Sequence, residues 1–484
     1  MRSTRGGRGR AVTARVAAGE GSWSDVLGEG RLALFVLICL GVWLIAADSL
    51  VTATIMPDIG RALGGYAYFG WATAGYLLGS VLAGASAGLL ARRYGLRRAT
   101  AAAALLYAAG CAMSAAGPDI SVFLLGRLLQ GIGGGWVGGF CSVAIGLVFP
   151  DRTLPKVYAA ITSVWGVASV LGPLIGGVFA DAGIWRWVFW FFAIQAVAVG
   201  AAAFVMLPKG ENGETKAGIA WPQLGLIGLG TAAIGLADLA ESAFHSAALT
   251  VIGVFLLLAM VWYDERAVVR LLPQGSGDLK SRPGAGYAAQ FLLTTASMGY
   301  SVYGPALLQT LVGLNALSAG YVVAMEAVAW TVAGLAVSSL GGAWPGRMIR
   351  LGGVSAVAGI AWSALAFPAG DVIGVVGAGV LLGGGFGLSW AFMCQRILAA
   401  LEGDERGIGA AGISTVRLTG SAAGAALAAA VANLVGVSAG LTEDTAYAAG
   451  IWVFAAALPV AAAGLWAAWR LGADEHPLVE LAAP

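Results

Sequence analysis

From Leu32 to Pro57 the chain reads LALFVLICLGVWLIAADSLVTATIMP. In that stretch Asp48 is the one charged side chain. A helix of about 20 largely apolar residues spans a bilayer, so this run predicts a spanning helix with an acid inside it. Thirteen further runs of the same kind follow, at about 69–91, 99–116, 119–148, 157–180, 187–207, 221–240, 247–263, 286–311, 318–340, 350–368, 371–395, 407–437 and 447–469. Fourteen membrane helices make an all-α integral membrane protein.

Composition agrees. Of 484 residues 59% are apolar and 11% charged, with four lysines and 75 glycines. Soluble proteins carry about 25% charged residues. The chain cannot cover a water-facing surface, which excludes a soluble enzyme, a disordered protein and a nucleic-acid binder. Cys39, Cys111, Cys141 and Cys394 all sit in apolar runs and read as packed thiols, and the two histidines, His245 and His476, are far apart, so no metal site is expected. No Gly-x-x-x-x-Gly-Lys-Ser/Thr loop occurs, which excludes a P-loop ATPase.

The positive charges set the topology. The N-terminal tail, every second loop and the C-terminal tail carry 23 of the 27 Arg and Lys residues, and the alternate loops carry two. The positive-inside rule then places both termini in the cytoplasm. Residues 1–31 are polar and Arg-rich, expected to form a disordered cytoplasmic tail and not a signal peptide. Two polar stretches, 208–220 and 264–284, bracket the seventh and eighth runs. The expected plan is a six-helix half (32–207), linkers with two extra helices (208–285), a second six-helix half (286–470) and a cytoplasmic tail (471–484). Paired halves of this kind build many transporters, with the substrate site between them.

Several motifs sit in order along these runs and the loop after the second. Ala47 to Pro57 is similar to the Leu-Asp-x-Thr-Ile-Val-Asn-Val-Ala-Leu-Pro that ends the first span of the fourteen-span drug:proton antiporters of the major facilitator superfamily; the Asp and the Pro are kept, the inner Thr and Asn are not. The loop Gly88 to Arg98 resembles the family's Gly-x-Leu-Ala-Asp-Arg-x-Gly-Arg-Arg, with Arg92 in place of the acid and one residue inserted before the last basic pair. Arg127, Gln130, Gly131 and Gly133 match Arg-x-x-Gln-Gly-x-Gly, and Gly172, Pro173, Gly176 and Gly177 match the signature of the family's antiporters. Trp185 to Phe189 is similar to Trp-Arg-Trp-Ile-Phe, and Gln309 and Gly313 sit where the family often reads Leu-Gln-x-x-x-Gly. The resemblance covers about residues 32–470. It implies a proton-driven exporter of hydrophobic or cationic small molecules, without a cofactor, multi-pass in the cell membrane, for a bacterium the inner one. The expected partners are a small-molecule substrate, protons and the lipid bilayer, with no nucleic acid, and the expected state is a monomer. An exporter dedicated to one endogenous product (a siderophore, a lipid or an antibiotic) and a transport-inactive sensor with the same fold are the alternatives.

The residues themselves point to the same chemistry. A carboxylate at membrane depth costs about 3 kcal/mol and is normally functional or paired. Asp48 can bind a proton in one conformation and lose it when water or a cation arrives. Arg127 on the fourth span comes out at the same depth, about 12–14 Å below the outer surface at about 1.5 Å per residue, and is its expected partner. Glu326 and Arg417 are the embedded charges of the second half, expected in the cavity or in gating. Tyr300, Tyr303, Trp330 and Trp390 are read as an aromatic wall, against the plainer reading that each only packs helices; Gln309 joins them. Asp238 is placed at the interface. In the family the loop acid holds the inner gate. Here Arg92, Arg93, Gly95, Arg97 and Arg98 face Glu402, Asp404 and Glu405 on the same side, so a gate of reversed polarity is expected in the outward-open state.

Overall fold

The computed structural model describes residues 23–28, 30–150, 153–208, 218–237, 243–338, 340, 344–403 and 405–473. Among them the regular elements are helices: α1 (Trp23–Leu27), α2 (Arg31–Leu63), α3 (Phe69–Gly84), α4 (Ala87–Tyr94), α5 (Leu96–Ala116), α6 (Ile120–Val148), α7 (Leu154–Asp181), α8 (Arg186–Met206), α9 (Trp221–Leu236), α10 (Ala243–Asp264), α11 (Arg282–Leu311), α12 (Ala316–Val337), α13 (Trp344–Ala366), α14 (Val372–Ala399), α15 (Glu405–Leu434), α16 (Glu443–Ala455) and α17 (Leu458–Leu471). A helix satisfies its own backbone groups, which hydrocarbon cannot do for it. Its ends need help, and polar residues supply it. Asp119 accepts from the Ser121 and Val122 amides at 2.9 and 3.0 Å, Asn315 from Ser318 at 2.9 Å, and Asp371 from Gly374 at 3.0 Å.

Among the described residues eleven spans are long and apolar enough to cross a membrane, with α16 and α17 counted as one, and the α3–α4 pair makes a twelfth. That pair bends by 51° at its break, where a single helix over 69–91 was expected. The α9 helix is short at 16 residues. The α11 helix is long enough at 30 residues but less apolar, because it buries Gln290, Thr294, Thr295 and Ser297.

Helix pairing repeats along the chain. In the first part α2 packs on α7, α3 and α5 on α6, and α5 on α8. In the second, α11 packs on α15, α12 and α13 on α14, and α13 on α17. The same positions pair in both sets of six. The sets meet through α7 against α12 and α3 against α15, second helix to fifth in each direction. The α9–α10 hairpin lies outside both sets, with α9 resting on α3 and α15. Val81, Ile227 and Met260 form a buried cluster there, with Leu418 packed against it.

The seam is tight at one end. A Cβ at Gly177 would sit 2.5 Å from the Leu317 Cα, and one at Gly320 would sit 2.9 Å from the Pro173 Cβ. The Asn433 amide donates to the Ala67 carbonyl at 2.7 Å, and the Phe69 and Tyr303 rings stack with centroids 6.4 Å apart. At the other end α4 packs on α5 and α6 of its own set.

Part of the expected tail and of the second polar linker carries structure. Within 1–31, α1 forms and buries Val26, because an apolar cluster with Leu37, Val157 and Ala203 receives that side chain. The 264–284 segment folds around Asp264, whose oxygens accept from the Leu271 and Leu272 amides at 2.8 and 2.9 Å and from Gln223 at 3.1 Å. Residues 1–22, 209–217 and 474–484, with Asp238, lie outside the described residues.

Candidate functional site

The α2 helix carries Asp48 into the middle of the first helix set, where it is 0% exposed, and α6 brings Arg127 to it, 1% exposed. Arg127 Nη1 donates to Asp48 Oδ1 and Oδ2 at 3.1 and 2.9 Å and to Gln130 Oε1 at 2.7 Å. Arg127 Nε donates to the Ala72 carbonyl of α3 at 3.2 Å, and the guanidinium lies 4.6 Å from the centroid of the Tyr76 ring. Gln130 Nε2 donates to Asp48 Oδ1 at 2.7 Å and to the Tyr107 hydroxyl of α5 at 3.2 Å. Tyr107 donates to the Leu44 carbonyl of α2 at 3.3 Å, closing the ring of contacts. One ion pair therefore ties four helices together. Gln130, Tyr76 and Tyr107 are members that the sequence reading did not assign. Gln130 had a readable signal, since it lies three residues after Arg127 on the same helix face.

In the second set the charges are less engaged. Glu326, half-buried on α12, accepts from the Ser301 hydroxyl at 3.0 Å. Gly383 brings α14 against the Glu326 carbonyl, and Gly387 brings it against that of Trp330. A side chain at either would push the two helices apart. Trp330 stacks on Phe386 with centroids 4.9 Å apart and planes at 10°, and Trp390 stands 5.7 Å from Trp330. Arg417 is half-buried on α15.

The structure separates the four aromatic residues. Trp330 and Trp390 are half-buried neighbours. Tyr300 and Tyr303 are packed instead, 1% and 0% exposed. Tyr300 donates to the Val375 carbonyl at 3.0 Å and packs on Phe367, and Tyr303 stacks on Phe69 across the seam. Their rings serve helix contacts, because small residues around them let neighbouring helices close in. Gln309 also acts across the seam, donating to the Thr54 carbonyl at 3.4 Å. Gly172, Gly176 and Gly177 lie against Leu50, Thr54 and Leu317, and Pro173 against Gly320.

At the other end no hydrogen bond or ion pair joins the loop arginines to Glu402 or Glu405 among the described residues. Glu405 is paired with Arg270 and accepts from the Gln274 amide at 3.0 Å. Arg92, Arg93 and Arg98 are exposed, Arg97 lies 4.3 Å over the Phe204 ring, and Gly95 (φ 78°) makes the turn between α4 and α5. Asp404 lies outside the described residues.

A family model described as Major Facilitator Superfamily matches residues 38–395. Over 434 residues the chain is 30% identical to a Mycobacterium tuberculosis protein named "Probable multidrug-efflux transporter", a match covering 86% of this chain and 91% of that one. It is also 30% identical over 188 residues to the multidrug transporter protein MdtP of Bacillus subtilis, covering 39% and 34% of the two chains. Among solved structures it is similar to the nucleoside transporter NupG (TM-score 0.63, 13% identity, 91% of this chain and 99% of that one). It is similar also to a D-xylose-proton symporter (TM-score 0.61, 15% identity, 89% and 97%). At those identities the likeness is one of fold. With two sets of six helices paired alike, a buried charge knot in one of them and a family match over most of its length, the chain belongs to the major facilitator superfamily and is a multi-pass membrane transporter, not an enzyme.

Proposed function

We propose that the chain is a proton-coupled exporter of hydrophobic small molecules, cations among them, of the fourteen-span drug:proton antiporter type. The observation that carries this is the Asp48–Arg127–Gln130 knot, a proton-binding group wired to four helices. A proton on Asp48 would turn an oxygen that accepts from Arg127 into a donor. The ion pair would lapse, and with it the tie between α2, α3, α5 and α6. A proton moving inward gains about 2.3 kcal/mol per 100 mV and about 1.36 kcal/mol per unit of pH difference, enough to bias a two-state packing.

The seam supports the same reading. It is closed at the end that the charge count assigns to the outside, and α4 leans on its own set at the end assigned to the cytoplasm. Such a conformation would load from the cytoplasm. Glu326 and the Trp330–Phe386–Trp390 cluster would receive the compound. The two halves would be 32–207 and 286–470, with the α9–α10 hairpin and the short or less apolar helices bringing the spans to fourteen. The named efflux activity of the mycobacterial relative favours export over uptake.

The test is dye uptake into inverted membrane vesicles with an imposed proton gradient. Wild-type protein should accumulate a lipophilic dye and lose it when the gradient is collapsed. Asp48→Asn should insert normally and show no gradient-dependent uptake; full uptake by that variant would end the proton-coupling assignment.

A further inference from the structure

Arg347 and Arg350 stand three apart near the start of α13 and are neighbours on its surface. The end of α17 lies against them. A Cβ at Gly472 would sit 2.8 Å from the Gly346 carbonyl and 3.0 Å from the Arg350 Cγ. Three arginine–tryptophan pairs line this edge. The Arg347 guanidinium lies 5.5 Å from the centroid of a Trp344 ring, that of Arg350 lies 5.3 Å from Trp469, and that of Arg470 lies 5.1 Å from Trp466. In the same order the tryptophans are 46%, 51% and 50% exposed. Arg396, near the end of α14, donates to the Leu471 carbonyl at 2.5 Å. The edge therefore lies where α14 leads into α15, opposite the tight seam.

These arginines carry charge without a counter-ion. No hydrogen bond or ion pair joins Arg347, Arg350 or Arg470 to any described residue. Arg347 and Arg470 are exposed. Arg350 is half-buried, and of its three nitrogens only Nε is sealed without a partner. A guanidinium keeps its proton, so the charge is permanent. A ring engages the flat face of the group and leaves the in-plane N–H donors for an acceptor.

Position says what kind of acceptor. The α13 helix packs on α14 and α17, and α17 packs on α11 and α13, all within the second set. The edge thus belongs to the outer wall, away from the seam. Beyond Arg347 the same face of α13 continues with Leu351 and Val354, 54% and 45% exposed. An apolar stripe that begins one turn below an arginine–tryptophan layer marks the passage from acyl chains to headgroups. The arrangement recurs in the first set. On α5 and α8, the equivalent third and sixth places, Arg97 lies 4.3 Å over the Phe204 ring, and its Nε is likewise buried without a partner. That corner has one such pair, and the α13–α17 edge has three.

We propose that the α13–α17 edge binds the phosphate of an anionic phospholipid in the leaflet at that end. Arg347 and Arg350 donate to the phosphate oxygens, a pairing whose geometry favours two parallel bonds. Arg470 adds charge beside them, the tryptophans lie at the level of the glycerol, and an acyl chain runs along Leu351 and Val354. A zwitterionic headgroup brings its own cation to the phosphate and an anionic one does not, so arginines without counter-ions select the second. The inference is independent of proton coupling and of the compound exported.

The probes are dioleoylphosphatidylglycerol, dioleoylphosphatidylcholine and glycerol 3-phosphate, added to delipidated full-length protein in detergent, with the first bound lipid quantified by native mass spectrometry. Wild-type protein should bind the phosphatidylglycerol about fivefold more tightly than the phosphatidylcholine, or better. Arg347→Gln combined with Arg350→Gln should bring the two lipids to near equality. Arg406→Gln combined with Lys280→Gln removes the same charge from exposed positions at the same end and should keep the preference. Equal binding of the two lipids by wild-type protein would overturn the proposal. So would a preference that survives loss of Arg347 and Arg350, or one that falls equally in the Arg406 and Lys280 variant. Displacement of the phosphatidylglycerol by glycerol 3-phosphate at equal concentration would make the edge a site for soluble phosphates and overturn the lipid assignment. Should the double variant fail to fold, Arg347→Gln alone decides. That side chain is exposed and bonds to no described residue, and its loss must lower the preference about twofold or more, or the site is elsewhere.

Discussion

Asp48 in the first half has both oxygens occupied by Arg127 and Gln130, whereas in the second half Glu326 holds one Ser301 hydroxyl and Arg417 holds no described residue. The first arrangement satisfies itself. Its members neutralise one another and are sealed from solvent, so whatever changes it must change helix packing as well. The second arrangement is left with spare donors and acceptors on a half-open surface. Polar capacity that the protein does not use is capacity for something that comes and goes. Under the proposed function, energy coupling would belong to the knot and substrate recognition to the open charges.

The comparison fails if the two arginines cost the same to remove. Arg127→Leu leaves Asp48 buried and unpaired, and breaking a buried pair from one side costs about 3–5 kcal/mol. Arg417→Leu breaks nothing that is described and should cost less than about 1 kcal/mol. Thermal unfolding of the two variants in detergent measures the difference, and equal losses would show that the knot is not special. Transport adds a second axis: Arg127→Leu should abolish it for all compounds, while Arg417→Leu should spare neutral ones.

A smaller effect sharpens the contrast at Glu326. Glu326→Gln keeps an oxygen for the Ser301 hydroxyl, so stability should move by less than about 1 kcal/mol. If the carboxylate meets a cation, transport of a lipophilic cation should fall about tenfold, on the order of the 1.4 kcal/mol that one charge-assisted contact is worth. A neutral dye should be moved at nearly the wild-type rate. An equal fall for both dyes would put Glu326 in the machinery of the conformational change and not in recognition.

How much of this was legible in the sequence follows from what each inference needed. Depth along a straight helix is arithmetic, so Asp48 and Arg127 could be placed level before any contact was seen. Reach is not arithmetic. Tyr107 and Tyr76 enter the knot through helix rotations, and the helices are too evenly apolar for a periodic pattern to report rotation. The same evenness hid the difference between Tyr300 and Trp330, because a ring looks alike in a core and on a cavity wall. The bend between α3 and α4 left no mark in a run whose hydrophobicity continues through it. Gly379, Gly383 and Gly387 stand four apart in the sequence, but nothing in that spacing names their partners, the Tyr300 hydroxyl and the Glu326 and Trp330 carbonyls.

The smallest expected effect lies in the loops at the end opposite the tight seam, where the sequence paired Glu405 with 92–98 and the structure pairs it with Arg270. Arg270 Nη1 lies 3.3 Å from Glu405 Oε2, the other guanidinium nitrogen is also bonded, and the Gln274 amide donates to the same carboxylate. The linker thus rests on the start of α15 in a conformation whose seam is tight at the far end. Such a part-exposed pair contributes at most about 1 kcal/mol, and salt weakens it. Arg270→Ala should therefore lower stability only slightly, by less than 1 kcal/mol, and the loss should shrink further as salt is raised. A double-mutant cycle separates the two pairings. Arg270 and Glu405 should couple by about 0.5 kcal/mol, and Arg92 and Glu405 should be additive in protein trapped with its cytoplasmic side open. If Arg92 couples in protein trapped with that side closed, one carboxylate exchanges partners during the cycle, Arg270 in one state and the 92–98 loop in the other. Coupling of Arg92 to Glu405 in the open state would mean that the linker contact is incidental and that the loop arginines hold α15 throughout.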